Sequence, residues 1–391
     1  MFPMILANAR CIFQDGVREG SDIVVRDGKI AEIRESSKSR EAETLDLVGN
    51  YLAPGFIDLH IHGAMGRDTM EASAEAFRAI CDYHGSGGTT SLLLTTVTAP
   101  IPDIINVLRA ARECPDGIPQ IAGVHVEGPF ISHKLPGAQP EQFIRNPDPE
   151  STRQLLEYAD VIKRVTLAPE LPGALDLVGA LRARKIGVSG GHSDAREGEA
   201  RAAFARGMRH VTHTFNCMSS ARREGAFRIA GLLEYALSKP EIMCELIAEL
   251  HHASATLMRM LYRAKGADGI CLVTDATAGA GLKAGSRFLL FGRECEAGPG
   301  AAFLAGQSTL AGSTTRMIDL VRTMVEQVRV PLDEAIRMAS SNPARALKID
   351  SAKGKLARDA DADFVVLSPK LEVLQTFVGG KRVFPGSPST G

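Results

Sequence analysis

The chain has no run of apolar residues approaching the roughly 20 needed to cross a bilayer as a helix, so no membrane anchor of that kind is expected. No secretory leader is expected at residues 1–13 either. Residues 1–13 are fairly apolar, but no basic segment or small-residue cleavage site accompanies them, and Pro3, Asn8 and Arg10 interrupt the run; a first β-strand is expected there. Among the seven cysteines there is no Cys-x-x-Cys pair, and an odd number of thiols fits a reducing compartment better than a disulfide framework, so the cytoplasm is expected. Charge of one sign is missing too. A net charge of -1 over 391 residues leaves no electrostatic footprint for nucleic acid or an anionic membrane, and no Gly-x-x-x-x-Gly-Lys loop is present to cradle a phosphate. Any anionic ligand must be met by a few local cations.

What the chain does have is a soluble globular composition, 45% apolar and 23% charged, and a length that suggests about two or three units unless a single large α/β barrel takes most of it. Residues 1–52 hold short alternating segments, Ile23–Val25, Lys29–Ile33 and Leu45–Val48, with Asp27-Gly28 as a hairpin turn. Residues 353–391 repeat the style with Phe364–Leu367, Leu371–Val378 and Lys381–Phe384. Neither set can bury a core alone, so one small β-sandwich built from both ends of the chain is expected.

Residues 53–352 read differently. Apolar strand candidates at 56–61, 90–95, 121–126, 164–168, 186–190, 210–213, 244–248 and 270–274 alternate with amphipathic helices such as 74–83, 101–111, 174–184 and 254–265. Eight βα units over about 250 residues is the rhythm of a (β/α)8 barrel, with a doubly wound open sheet as the alternative. The Gly- and Ala-rich stretch 279–306 is expected to leave the barrel as a hairpin excursion, with helices resuming over 314–330 and 332–340.

His60 and His62 alternate on the first barrel strand, which presents two imidazoles on one face roughly 7 Å apart at their Cα atoms. Alone, such a pair is either a metal grip or two strand-end histidines. The company decides: Glu127 follows the third strand, His192 the fifth, His213 the sixth and Asp275 the eighth, all at carboxyl ends, the face that builds barrel active sites. Four histidines and a carboxylate exceed what one tetrahedral ion with an open position can use, so one or two divalent ions per subunit are expected, zinc first, with iron or another transition metal as alternatives. Glu127 would anchor one ion with His192 and His213, while His60 and His62 hold the second. Asp275 is placed to move a proton to and from a water beside the metal.

These residues lie in segments that resemble the N-acetylglucosamine-6-phosphate deacetylases of the amidohydrolase superfamily: PGFIDLHIHG (54–63), GGTTSLLLTT (87–96), HVEGPF (125–130), GGHSDA (190–195), THTFNCM (212–218), LVTDA (272–276), LAGS (310–313) and NPAR (342–345). The fourth strand has no lysine at its end, where other branches carry a carboxylated one. The resemblance implies Glu127, His192 and His213 as main ligands, His60 and His62 as a second-site pair, and Asp275 as the catalytic acid-base. It further implies that Gln139 lies near the scissile amide, that Asn216 and Cys217 approach the sugar phosphate, that His252 meets the ligand, and that Arg223 reaches the phosphate of a neighbouring subunit, hence a homodimer. Two departures stand out: Glu249-Leu250-His251-His252 replaces an Asp-Gly-x-His segment, and Cys217 replaces a usual alanine.

The expected activity is metal-assisted hydrolysis of the acetamide of N-acetylglucosamine 6-phosphate to glucosamine 6-phosphate and acetate, part of amino-sugar metabolism. Deacetylation of the galacto epimer and a metal-binding barrel without turnover are the alternatives.

Overall fold

The computed structural model describes residues 4–36, 43–114, 120–290 and 292–385. Residues 1–3 of the expected first strand, residue 291 of the 279–306 excursion and residues 386–391 at the C-terminus lie outside the described residues. Eight parallel strands follow one another around a barrel: β1 (Phe56–Ile61), β2 (Thr89–Thr95), β3 (Ile121–Glu127), β4 (Ile162–Leu167), β5 (Gly187–Gly190), β6 (His210–Val211), β7 (Met243–Leu246) and β8 (Ile270–Leu272). β1 and β2 are buried at every position, as strands covered on both faces must be, which is why they read as unbroken apolar runs. The sequential strand order sets aside the open doubly wound sheet.

The seam between β1 and β8 is closed mostly beyond the end of β8. His62 N–H donates to Ala276 O (2.8 Å) and Asp275 N–H to His60 O (2.9 Å). Below that rim the Asp58 carboxylate, fully buried, accepts from Thr274 Oγ1 (2.6 Å), from Thr274 N–H (3.3 Å) and from His60 N–H (3.2 Å). A side chain thus replaces ladder bonds that the last strand is too short to make. β6 and β8 stop earlier than their expected ends at 213 and 274, because His213 and Asp275 take up left-handed backbone (φ 31° and 48°) that ends strand geometry.

The terminal strands form one sheet in the order Lys381–Phe384, Val373–Val378, Phe364–Leu367, Tyr51–Pro54, Met4–Phe13, Gly16–Arg26, Lys29–Glu35. Met4–Phe13 also pairs with Glu43–Asp46 along its first half. The sheet returns on itself: Ala362 N–H donates to Gly28 O and Gly380 N–H to Ala362 O, both 2.8 Å, so the 27–28 turn meets the 379–380 turn. Leu6, Ile23, Ile30, Leu52, Phe364 and Phe377 fill the space enclosed. Two details differ from expectation. The fourth N-terminal strand, Glu43–Asp46, ends short of Val48, which adopts φ 51°, and Tyr51–Pro54 is an additional strand that runs through Gly55 directly into β1.

The excursion after β8 is a four-stranded antiparallel sheet, Arg287–Leu290, Arg293–Ala297, Ala301–Leu304 and Leu310–Ser313. Its small residues, Ala297, Ala302 and Ala311, pack with Phe288 and Leu290 into a thin core of their own. The helix expected over 314–330 is α-helical at Met317–Thr323 and widens to a π-turn at Met324–Val328. Among the described residues, no helix is long and apolar enough to cross a membrane.

Gly88, at φ +88°, lies where the barrel meets the terminal sheet. A Cβ there would stand 2.8 Å from the Phe56 ring and 2.9 Å from Val365 Cγ2. Both neighbours are fully buried and cannot retreat. Gly88→Ala is expected to lose about 2–4 kcal/mol of unfolding free energy, combining left-handed strain with overpacking; an unchanged urea midpoint would contradict this packing.

Candidate active site

The carboxyl ends of β1, β3, β5, β6 and β8 deliver their polar residues to one point. Glu127 Oε1 lies 3.4 Å from His60 Nε2, 3.4 Å from His192 Nε2 and 3.2 Å from His213 Nε2, and Glu127 Oε2 lies 3.3 Å from His62 Nε2. Asp275 Oδ1 stands 3.5 Å and 3.3 Å from the same nitrogens of His60 and His62. His192 and His213 each follow a short strand and reach inward only because their backbones turn left-handed (φ 47° and 31°). Such strain costs about 1–3 kcal/mol per residue and is typical of functional positions.

The arrangement fits a cation. His60 Nδ1 donates to Glu245 Oε2 (3.3 Å) and His62 Nδ1 donates to the Thr95 carbonyl (3.2 Å). Both Nε2 atoms are left with lone pairs, yet they face each other at 3.1 Å. Lone pair against lone pair is repulsive unless a positive charge lies between them. His192 is oriented the same way, its Nδ1 donating to the Leu135 carbonyl at 3.0 Å, and its Nε2 stands 3.1 Å from that of His213. Two triads result, His60/His62/Glu127 and Glu127/His192/His213, with Glu127 common to both. Nitrogen and carboxylate donors of this kind suit zinc and its neighbours in the first transition row.

The electrostatics carry the same demand. Burial alone would push the Glu127 carboxyl up, but the surrounding imidazoles of His60, His192 and His213 hold it well below the usual carboxylate range. Asp275 is likewise opposed by burial and held down, at about 2, by His60, His62 and His213. Burial disfavours charge on His62, yet the two carboxylates facing it push its imidazole up to about 9. Two ionised carboxylates in one buried cluster demand positive charge at its centre, which either protons on the imidazoles or a bound cation can supply.

A cavity of about 130 Å3 opens above the cluster, lined by His62, Glu127, Gln139, His192, His213, Asn216, Cys217, His252 and Asp275 among others. His60 lies beneath this floor, fully buried. Gln139 is fixed at both ends of its amide: Oε1 accepts from Thr98 N–H (2.8 Å) and Nε2 donates to Glu127 Oε2 (2.7 Å). Gly137, at φ +60°, lets the loop pass close to Cys217, whose sulfur a Cβ would meet at 2.7 Å. His252 Nδ1 is paired with Glu249, which also accepts the N–H groups of His251 (3.0 Å) and His252 (2.9 Å). Glu249 therefore serves as the local turn's carboxylate, and Leu250 bears the strain at φ 78°. Arg223 stands apart on an exposed hairpin, Arg222–Glu224 with Phe227–Ile229, its Nε donating to Gly225 O, and it does not line this cavity.

The residues that sequence reasoning passed over lie one layer below. Glu245, on β7, accepts from His60 Nδ1 and from His213 N–H (3.3 Å each) and is ion-paired with Arg164 of β4, which is 1% exposed. Asp58 holds the β1 and β8 ends together. All three are charged residues inside otherwise apolar barrel strands, and that interruption was the available signal. His125 turns away from the cluster: Nδ1 donates to Leu59 O (3.2 Å) and Nε2 meets the Thr166 hydroxyl (2.7 Å).

Comparison with known proteins agrees with this geometry. Residues 51–383 match the model of the amidohydrolase family. The chain is 35% identical over 385 residues to an N-acetylglucosamine-6-phosphate deacetylase of Lysinibacillus sphaericus, covering 97% of each chain. It is 33% identical to an N-acetylgalactosamine-6-phosphate deacetylase of Escherichia coli O157:H7, covering 96% of this chain and 98% of the other. The crystal structure of N-acetylglucosamine-6-phosphate deacetylase from Pasteurella multocida superposes with a TM-score of 0.91 at 31% identity, over 97% of this chain and 99% of that one.

Because Glu127 is common to both triads, Glu127→Ala should lower the content of every bound ion, whereas His60→Asn should spare the ion held with His192 and His213. Elemental analysis of the two purified variants checks this; equal losses would reject the division into two triads. Arg164→Met strands the buried Glu245 carboxylate and should cost about 3–5 kcal/mol of stability, much of it restored in Arg164→Met/Glu245→Leu, as read by chemical denaturation.

Proposed function

The chain belongs to the amidohydrolase family, and from that premise we propose that it hydrolyses the N-acetyl group of N-acetylglucosamine 6-phosphate, releasing acetate and glucosamine 6-phosphate. The observation that carries the reading is the convergence of Glu127, four imidazoles and Asp275 at the floor of one cavity, with His60 just beneath it. A divalent ion held there, zinc by its donor set, supplies Lewis-acid polarisation of the acetyl carbonyl and acidifies the water beside it.

The chain's own residues do the rest. Asp275, ionised and 12% exposed at its side chain, reaches the cavity and accepts a proton from the attacking water. As the carbon–nitrogen bond breaks, it returns that proton to the leaving amine, so acetate and a free amino sugar are formed. Gln139 holds Glu127 in one orientation through its own clasp to Thr98. Glu249 accepts from His252 Nδ1 and so holds the ring at the cavity wall, where it is proposed to meet an anionic ligand. Asn216 and Cys217 form the adjoining wall, where the sugar phosphate is proposed to lie.

The distance of Arg223 from its own cavity supports a homodimer in which this arginine serves the phosphate site of the second copy. Free thiols, among them five buried ones, support a cytoplasmic protein. The galacto epimer is the second reading, since a relative named for that substrate is 33% identical.

Asp275→Asn should retain its metal and lose at least about 100-fold in kcat, the usual scale for removing general acid-base help. Acetate release from the 6-phosphates of N-acetylglucosamine and N-acetylgalactosamine, run side by side, checks both statements. Near-normal turnover in the variant rejects the role of Asp275, and preference for the galacto epimer rejects the substrate.

A further inference from the structure

At the opposite mouth of the barrel, where β4, β5, β6 and β7 begin, lies a second cavity of about 520 Å3, within the range of small-molecule sites. Seven lysines and arginines line it against two carboxylates, Asp160 and Glu241, in a protein whose overall charge is -1. Asp160 is already held by Arg112, through Nε at 3.0 Å. Arg209 and Lys163 are anchored on backbone carbonyls, Arg209 on Phe204 O (2.7 Å) and Lys163 on Asp160 O (2.6 Å), which fixes them without neutralising them. Arg182, Arg184, Lys185 and Lys348 have no carboxylate partner among the described residues. Like charges gathered this way repel one another, and a bound anion removes that penalty.

The second observation is His210. It lines the cavity, is 9% exposed, and its Nδ1 lies 3.2 Å from Nη2 of the buried Arg164. A guanidinium has only donors, so Nδ1 must be the acceptor and the ring hydrogen must sit on Nε2. No partner for that N–H exists among the described residues. His210 is thus a nine-tenths-buried residue of the cavity wall, beneath the cationic rim, with a ring N–H that can donate to a ligand in the cavity. We infer that this mouth is a binding site for a phosphate dianion, free or carried on a small metabolite, with His210 as the inner donor and Arg182, Arg184 and Lys185 as the outer cations.

Isothermal titration of the metal-loaded protein with inorganic phosphate, glucose 6-phosphate and AMP, at constant ionic strength, tests the site. The charge variant Arg184→Ala/Lys185→Ala, altered only at exposed residues, should bind the preferred anion at least about 10-fold more weakly while keeping wild-type kcat and KM for acetate release. Lys348→Ala, on a separate element of the same rim, should weaken it in the same direction. The tightest of the three probes identifies the source of the phosphate. Affinities that are identical in wild type and both variants, or no binding of any probe, would overturn the assignment. Because the readout is the difference between variants remote from Asp275, it stands apart from the outcome of the epimer assay.

Discussion

Everything at the active site turns on a charge that must be balanced inside a barrel. Glu127 and Asp275 are carboxylates held ionised in a buried place, ringed by four imidazoles, of which His60, His62 and His192 have their outer nitrogens committed to Glu245, to Thr95 O and to Leu135 O. Those outer bonds fix the tautomers, the tautomers aim the lone pairs, and the lone pairs with the carboxylates define a place for a cation. Without one, the cluster must take up protons against burial to keep its charge tolerable.

That demand propagates downward. Glu245 supports His60 and the backbone of His213, but a carboxylate at the barrel axis needs its own counter-charge, and Arg164 supplies it from across the barrel. Arg164 in turn uses its other nitrogen on His210, at the far mouth. A line of charged and polar groups thus runs the length of the barrel interior, from the histidine–glutamate cluster to the basic cavity. The strain in His192, His213 and Asp275 is carried by the same scaffold: Asp58 ties Thr274 to β1, so Asp275 has little freedom to relax.

Much of this was legible in the chain. The eight strands announced themselves as apolar runs because parallel strands are buried on both faces, and the six chemical residues fell at their carboxyl ends. The ends of β6 and β8 were harder, since a left-handed turn at a histidine or aspartate leaves no mark in hydrophobic periodicity. Tyr51–Pro54 escaped notice for a related reason. Four residues flowing without a turn into β1 look like part of it, and only pairing with Phe364–Leu367 on one side and Met4–Phe13 on the other sets them in the other sheet.

The residue types and their spacing determined the fold class, the alternation of β1 that sets His60 beside His62, and the kind of chemistry available, because these follow from local periodicity and from what imidazoles and carboxylates can bind. Tertiary structure decided which carboxylate is common to both triads, that Arg164, Glu245 and Asp58 brace the site from within, that Arg223 stands outside its own cavity, and that basic side chains from several elements form one mouth around His210. Those are matters of distance between segments up to about two hundred residues apart, and no local pattern in a chain encodes which of its charged side chains will face each other once the barrel closes.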